Sequence, residues 1–314
     1  EGDGFREPGY AKNRRVEPLT TVGLLTDREG FPLQVRAFEG DRAEVKTVLP
    51  VVREFMAAHK LEVVAVVADA GMISEENKLG LDKEGLSFVI GGKLPEVLYQ
   101  IAQWRKTAPE GPPPDGLTLV QPQPAGGEGK LRGARDRKIV YRYDAKRAAR
   151  TFKGIDGQVR EAEDAVAGRG PVKRNRFVRL DNAGKSVDRQ LEAKARELAG
   201  WKAYETDLAE DADFIVKACH GLWHVENSFR MSENDLMACP VCRHKRESID
   251  AHIAIVFAAL AVSRRIEAAA GWTVRRIVRT PGPHRTATVR VAGHTMDIEP
   301  DLPDDLQAVI DLTR

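Results

Sequence analysis

The apolar positions of this chain change period several times, and each change marks an element. Thr20 to Arg28 (TTVGLLTDR) and Phe31 to Glu39 (FPLQVRAFE) are β-rich runs separated by Glu29-Gly30. With Asp27 and Gly30 as turn residues, they predict a hairpin. From about Ala43 to Lys60 the apolar residues Val45, Val48, Leu49, Val52 and Phe55 follow the helical period, which predicts an amphipathic helix. Val63 to Val67 is a continuous apolar, mostly β-branched run, the pattern of a central strand covered on both faces. It stops at Ala68-Asp69-Ala70-Gly71-Met72. A helix is predicted to start near Ser74, whose hydroxyl can cap it, with Glu76 and Asn77 close by. Leu86 to Ile90 reads as another short strand, closed by Gly91-Gly92.

The pattern then weakens. Ala108 to Gly129 is rich in proline and glycine and reads as a linker or exposed loop. From Lys130 to Lys153 ten Lys and Arg stand against Asp136 and Asp144, interleaved with Tyr141, Tyr143 and Phe152. A second basic cluster spans Lys173 to Arg179. The last third is helical in pattern. Ile215, Ala218, Leu222, Val225 and Phe229 form one apolar stripe at alternating spacings of three and four. Ser248 to Arg264 is apolar nearly all round and predicts a deeply packed helix, and Thr286 to Ile298 predicts a hairpin turning at Gly293.

Composition narrows the class. The 314 residues are 42% hydrophobic and 31% charged, enough for one large domain or two ordinary ones with real cores. Net charge is only +2, so any nucleic-acid affinity must come from how the charge is distributed. The longest apolar run, Ile253 to Val262, is about half a membrane span. Three cysteines and no signal-like start fit a reducing, cytoplasmic setting. The chain begins at Glu1 and not at a methionine, which reads as a missing front end.

Two carboxylates carry the candidate chemistry. Asp69 follows a buried-type strand, at the sheet edge where open α/β sheets bind ligands; the ordinary alternative is a turn or helix cap. Glu226 lies on the helical stretch beside the apolar stripe, where a helix pressed on a sheet can aim it inward. The ordinary alternative there is a surface pair with Arg230, four residues on.

The blocks TTVGLLTDREGFPLQVRAFEGDRAEVKTVLPVV, VVADAGMIS, LWHVENSFRMSENDL and RESIDAHIAIVFAALAVSR closely resemble insertion-sequence DDE transposases of bacteria. The subgroup is the one with a Tyr-Arg-Glu-Lys signature around its last acidic residue. The resemblance runs from about Phe5 to Asp305. It implies an α/β, RNase H-like mixed sheet flanked by helices and interrupted by a mostly β, basic insertion domain. It further implies three carboxylates binding two divalent ions, Mg2+ or Mn2+, with Asp69 matching the second acidic residue and Glu226 the third. Such an ion pair serves in-line attack on a phosphodiester, and hard oxygen ligands suit it. The partners implied are DNA, as transposon terminal inverted repeats and target, and a second copy of the chain in a homodimer on that DNA. No membrane partner is expected. Lys130, Arg132, Arg135, Arg137, Lys138, Arg142 and Arg230 are the expected DNA contacts, with Asn227 beside them; phosphate neutralisation and stacking on the interleaved aromatics are the means.

The chain also departs from the family pattern. The family's first Asp lies on a strand upstream of the hairpin, and no such segment precedes Thr20; Asp3, Asp27 and Asp41 are the early candidates, but Asp27 belongs to a hairpin turn and Asp3 to a polar, glycine-containing start. Counting from Glu226, the tyrosine position holds Cys219, the arginine position Leu222 and the lysine position Glu233. A truncated chain that binds DNA without cutting it is therefore a second reading. A third is a zinc-containing DNA-binding module built from Cys239, Cys242, His220, His224, Cys219 and His244. The expected organisation is residues 1–93 as the start of the core, 94–208 as the insertion, 209–280 as the helical end of the core and 281–314 as a hairpin and tail.

Overall fold

The structure is a computed structural model and describes residues 7–10, 16–40, 46–62, 64–69, 74–92, 99–108, 111–125, 135–170, 175–181, 184–236, 238, 245–281, 284, 286–291 and 294–313. Strands β1 (Glu7–Tyr10), β2 (Val16–Thr26) and β3 (Pro32–Glu39) come first. The predicted hairpin joins β2 to β3, with Leu24 opposite Val35 and Val22 opposite Ala37. Its turn is held by the Asp27 carboxylate, which accepts from the amides of Glu29 (2.9 Å) and Phe31 (2.8 Å). Gly30 there has φ +83°, a value that favours glycine. Helix α1 (Val48–His59) is shorter at its start than the pattern predicted and buries Val51 and Val52; Pro50 is tolerated because the first turn needs no amide donor.

Strand β4 (Ala65–Asp69) leads to α2 (Glu75–Lys83), whose N-cap is Ser74 as expected: its Oγ accepts from Asn77 N at 3.2 Å. Then follow β5 (Ser87–Gly92), α3 (Tyr99–Thr107), β6 (Thr118–Gln123), β7 (Arg137–Tyr143), α4 (Ala145–Val166), β8 (Val178–Asp181), β9 (Gly184–Val187), α5 (Arg189–Glu197), β10 (Trp201–Thr206) and α6 (Ala212–His220). The chain closes with α7 (Leu222–Asn234), α8 (Arg246–Ala270), α9 (Val274–Arg279), β11 (Ala287–Val291), β12 (His294–Ile298) and α10 (Asp304–Thr313).

These elements form two compact units: Lys60–His220, and a second made from 1–59 together with Gly221–Arg314. In the Lys60–His220 unit a five-stranded mixed sheet has the order β4-β5-β10-β7-β6. Only β4 and β5 run parallel. On one face α6 packs Ile215, Val216 and Cys219 against Val89, Val140 and Tyr204. The other face buries Tyr141, Tyr143, Trp201 and Ala203 with Ile101 of α3. In the other unit β1, β2 and β3 make an antiparallel sheet. Ile249 and Ile253 of α8 pack there against Ala37.

Four sequence expectations need correction. The Val63–Val67 run reads as a central strand, yet β4 lies at the edge of its sheet and pairs only with β5 among the described residues; its apolar side chains reflect cover on its faces and say nothing of how many strands flank it. Part of the proline-rich stretch read as a loop is β6, an edge strand, where proline is tolerated because no ladder need continue beyond it. The stripe from Ile215 to Phe229 is not one helix but two, α6 and α7, parted at Gly221. Finally, α8 is packed along one stripe only: Leu260 is 1% exposed, while Ile255 is 71% exposed. The predicted C-terminal hairpin is present as β11 and β12.

Candidate active site

Asp69 is the last residue of β4 and lies beside Gly91 of β5 in the parallel register. Its side chain is exposed. Alternation along the strand puts Asp69 on the same face as Val67, the face covered by α6. The end of α6 therefore sits at this edge. A Cβ built on Gly91 would lie 3.6 Å from Cys219 Sγ and 3.4 Å from both Cε and Nζ of Lys202. Burial pushes the Cys219 thiol up to about 11; the Asp69 charge adds to that rise and the Lys202 charge opposes it. The next residue, His220, has Nε2 3.4 Å from the Tyr204 hydroxyl. Burial, together with Lys202 and Arg147, holds its imidazole below the usual histidine range.

Glu226 projects from α7 into solvent and forms an ion pair with Arg230 at 2.5 Å, the i, i+4 geometry of a helix surface. The helix beneath it is firmly seated within its own unit. The Ser228 hydroxyl donates to the Gly30 carbonyl at 3.1 Å and accepts from Arg264 Nη2 at 2.8 Å. Arg264 also donates to the His224 carbonyl and pairs with Glu267, each at 3.1 Å. Any Cβ at position 30 would come within 2.5 Å of His224 Cβ, so the hairpin turn and α7 meet only because residue 30 is glycine.

The basic residues singled out from the sequence are mostly engaged within the fold. Lys130 and Arg132 lie outside the described residues. Arg135 reaches Asp207 at 3.4 Å and the Asp82 carbonyl at 3.3 Å. Arg137, only 8% exposed at its side chain, is paired with Glu75 (3.1 Å), Asp82 (3.2 Å) and Glu205 (3.3 Å). Lys138 donates to the carbonyls of Ala209 and Glu210, and Arg142 pairs with Asp213 at 2.8 Å. The basic stretch thus runs through β7 and the start of α4. Of the zinc candidates, His220 closes α6 and His224 belongs to α7, while Cys239, Cys242 and His244 lie outside the described residues. Asp3 and Asp41 lie outside them too, and Asp27 is a turn cap.

Among the described residues no group of three or more His, Cys, Asp or Glu side chains gathers as a metal site. The expected donors, the carboxylates of Asp69 in one unit and Glu226 in the other, are of the hard oxygen kind that Mg2+ and Mn2+ take. Lys202 went unnoticed in the sequence, because a lysine in an alternating strand (WKAYET) looks like any solvated position, and Gly91 reads there only as closing a strand.

A mixed sheet flanked by helices, with a carboxylate closing one of its strands, defines a mixed α/β domain consistent with the RNase H-like class. Residues 1–262 match the family described as the transposase DDE domain, and the chain belongs to that family. A transposase function on DNA follows from that membership, and divalent metal ions are the usual cofactors of such enzymes. Comparison with curated proteins finds no match. Among the described residues no helix is long and apolar enough to cross a membrane.

Proposed function

We propose that this chain is an insertion-sequence DDE transposase that cleaves DNA at element ends and transfers the strands, with Asp69 and Glu226 as its metal-binding carboxylates. The observation that carries the reading is the place of Asp69: an exposed carboxylate at the carboxyl end of a parallel strand. Glu226 joins it from the family pattern, on a helix locked to the hairpin turn through Ser228 and Arg264. Bound divalent ions would supply activation of the attacking oxygen and stabilisation of the leaving one. The chain's own carboxylates bind and orient those ions, and its lysines and arginines neutralise backbone phosphates. Arg135, Arg142 and Arg230, whose side chains reach solvent, serve that role together with Lys130 and Arg132. Arg137 serves the fold instead. Terminal inverted repeats are the substrate, and two copies of the chain act on paired ends.

Nicking of supercoiled DNA in Mg2+ or Mn2+ tests this directly. Asp69→Ala is expected to abolish nicking while the far-ultraviolet circular dichroism stays that of the parent chain. Preserved nicking in that variant overturns the site assignment. A second reading, a chain that binds DNA without cutting it, is favoured by Glu233, an acid where the family pattern has lysine. It predicts equal DNA binding by parent and Asp69→Ala chains and no nicking by either.

A further inference from the structure

The carboxyl end of β4 carries a cation in an unusual place. Lys202 lies on β10, two residues before Tyr204 and therefore on the face that α6 covers. Its side chain does not leave the sheet at its own position. It runs along the face toward β5, so that a Cβ on Gly91 would meet its Cε and Nζ at 3.4 Å. Gly91 is the register partner of Asp69. The ammonium thus stands beside Gly91, the residue across the parallel ladder from Asp69. Glycine at 91 keeps this path open, since a larger side chain would occupy the space the lysine tip uses.

Two further observations fit a cation held ready for a ligand. The last turn of α6, at Cys219 and His220, ends at the same spot, and the carbonyl end of a helix favours positive charge. Lys202 also differs from its basic neighbours. Arg137, Lys138 and Arg142 of β7 are all engaged by carboxylates or carbonyls. Among the described residues Lys202 has no ion pair; its nearest aromatic companion is the Tyr204 ring, 5.3 Å from Nζ.

We propose that Lys202 is a positioning residue of the transposase site: its ammonium, threaded over Gly91 to the side of Asp69, holds a phosphate of the DNA backbone brought to that edge. The proposal rests on the reading of Asp69 as a site carboxylate and adds the group that fixes the substrate's register there.

The test follows binding of a short DNA duplex to the full chain by fluorescence anisotropy across a salt series in magnesium. Each phosphate contact contributes about 0.9 to the slope of log affinity against log salt. Lys202→Gln is expected to bind with a slope shallower by about that amount, and Lys202→Arg to keep the parent slope. Gly91→Val leaves the charge in the chain but fills its path, and is expected to lose the same contact; it also carries the comparison if Lys202→Gln does not fold. A Lys202→Gln slope equal to that of the parent overturns the proposal and leaves Lys202 as a counter-charge to Asp69. Because the slope is read without cleavage, the two readings fail separately. A shallower slope alongside undiminished nicking by Asp69→Ala would keep the phosphate contact and remove the carboxylate assignment. An unchanged slope with nicking lost in Asp69→Ala would remove Lys202 alone.

Discussion

Arg137 sits among three carboxylates, and one of them, Asp82, is only 2% exposed at its side chain. Removing the guanidinium would strand that buried charge, which costs far more than the pair contributes. Arg137→Met is therefore expected to destabilise the chain by roughly 3–5 kcal/mol in urea unfolding. It should leave the salt slope of DNA binding unchanged, since the group faces inward. A drop in slope without loss of stability would return Arg137 to the DNA surface. The contrast with Lys202 shows what a sequence conveys about charge. Ten cations between 130 and 153 are countable, but their partners (Glu75, Asp82, Asp207, Asp213) are dispersed over distant segments. The place of Asp69 at a strand end was readable because the strand-like run Val63 to Val67 stops just before it. Glu226 depended on the family pattern, and in the structure it is an exposed helix residue paired with Arg230.

Among the elements, α4 shows how a basic stretch becomes an ordered helix. Asp144 is its N-cap, its carboxylate accepting from Arg147 N at 2.5 Å. That hydrogen bond, aided by the charges of Arg147 and Arg150, holds the carboxyl below the usual range against the effect of its partial burial. Asp144→Ala should cost about 1 kcal/mol at neutral pH. A carboxyl whose folded pKa is depressed stabilises the fold above its unfolded value, near 3.9, and loses that contribution as pH falls through the folded value. The gap between parent and Asp144→Ala stability should therefore close below about pH 4. Asp144→Asn, which caps without a charge, should show no such trend; a gap that is constant with pH would refute the charge's part in the cap. Periodicity found elements toward both ends of the chain, none of those from α3 to β10, and not their neighbours. It gave the β2–β3 hairpin and the Ser74 cap, whose signals are local. It missed the edge position of β4 and the break at Gly221, because strand order depends on distant partners and a 3–4 spacing continues unchanged across a single glycine.

At the scale of the whole molecule, the Lys60–His220 unit is one continuous segment with its own apolar clusters on both faces of its sheet. Produced alone, residues 60–220 should fold and unfold in urea as a single cooperative transition. A broad, non-cooperative melt would show that it leans on the rest of the chain. The other unit is of a different kind. Its three-stranded sheet and α1 come from the first 59 residues, and its remaining helices and the β11–β12 hairpin from beyond residue 220, so that Ser228 closes on a carbonyl 198 positions earlier. On a ribosome, the β2–β3 hairpin emerges long before α7 and α8 exist to cover it, while the middle unit can already settle. The early strands must wait with an apolar face and open edges until α8 has been made. A ribosome that stops between His220 and α8 thus releases a chain with one unit finished and the other unfinished, and Glu226, carried on α7, is fixed in place only once that late segment has been made.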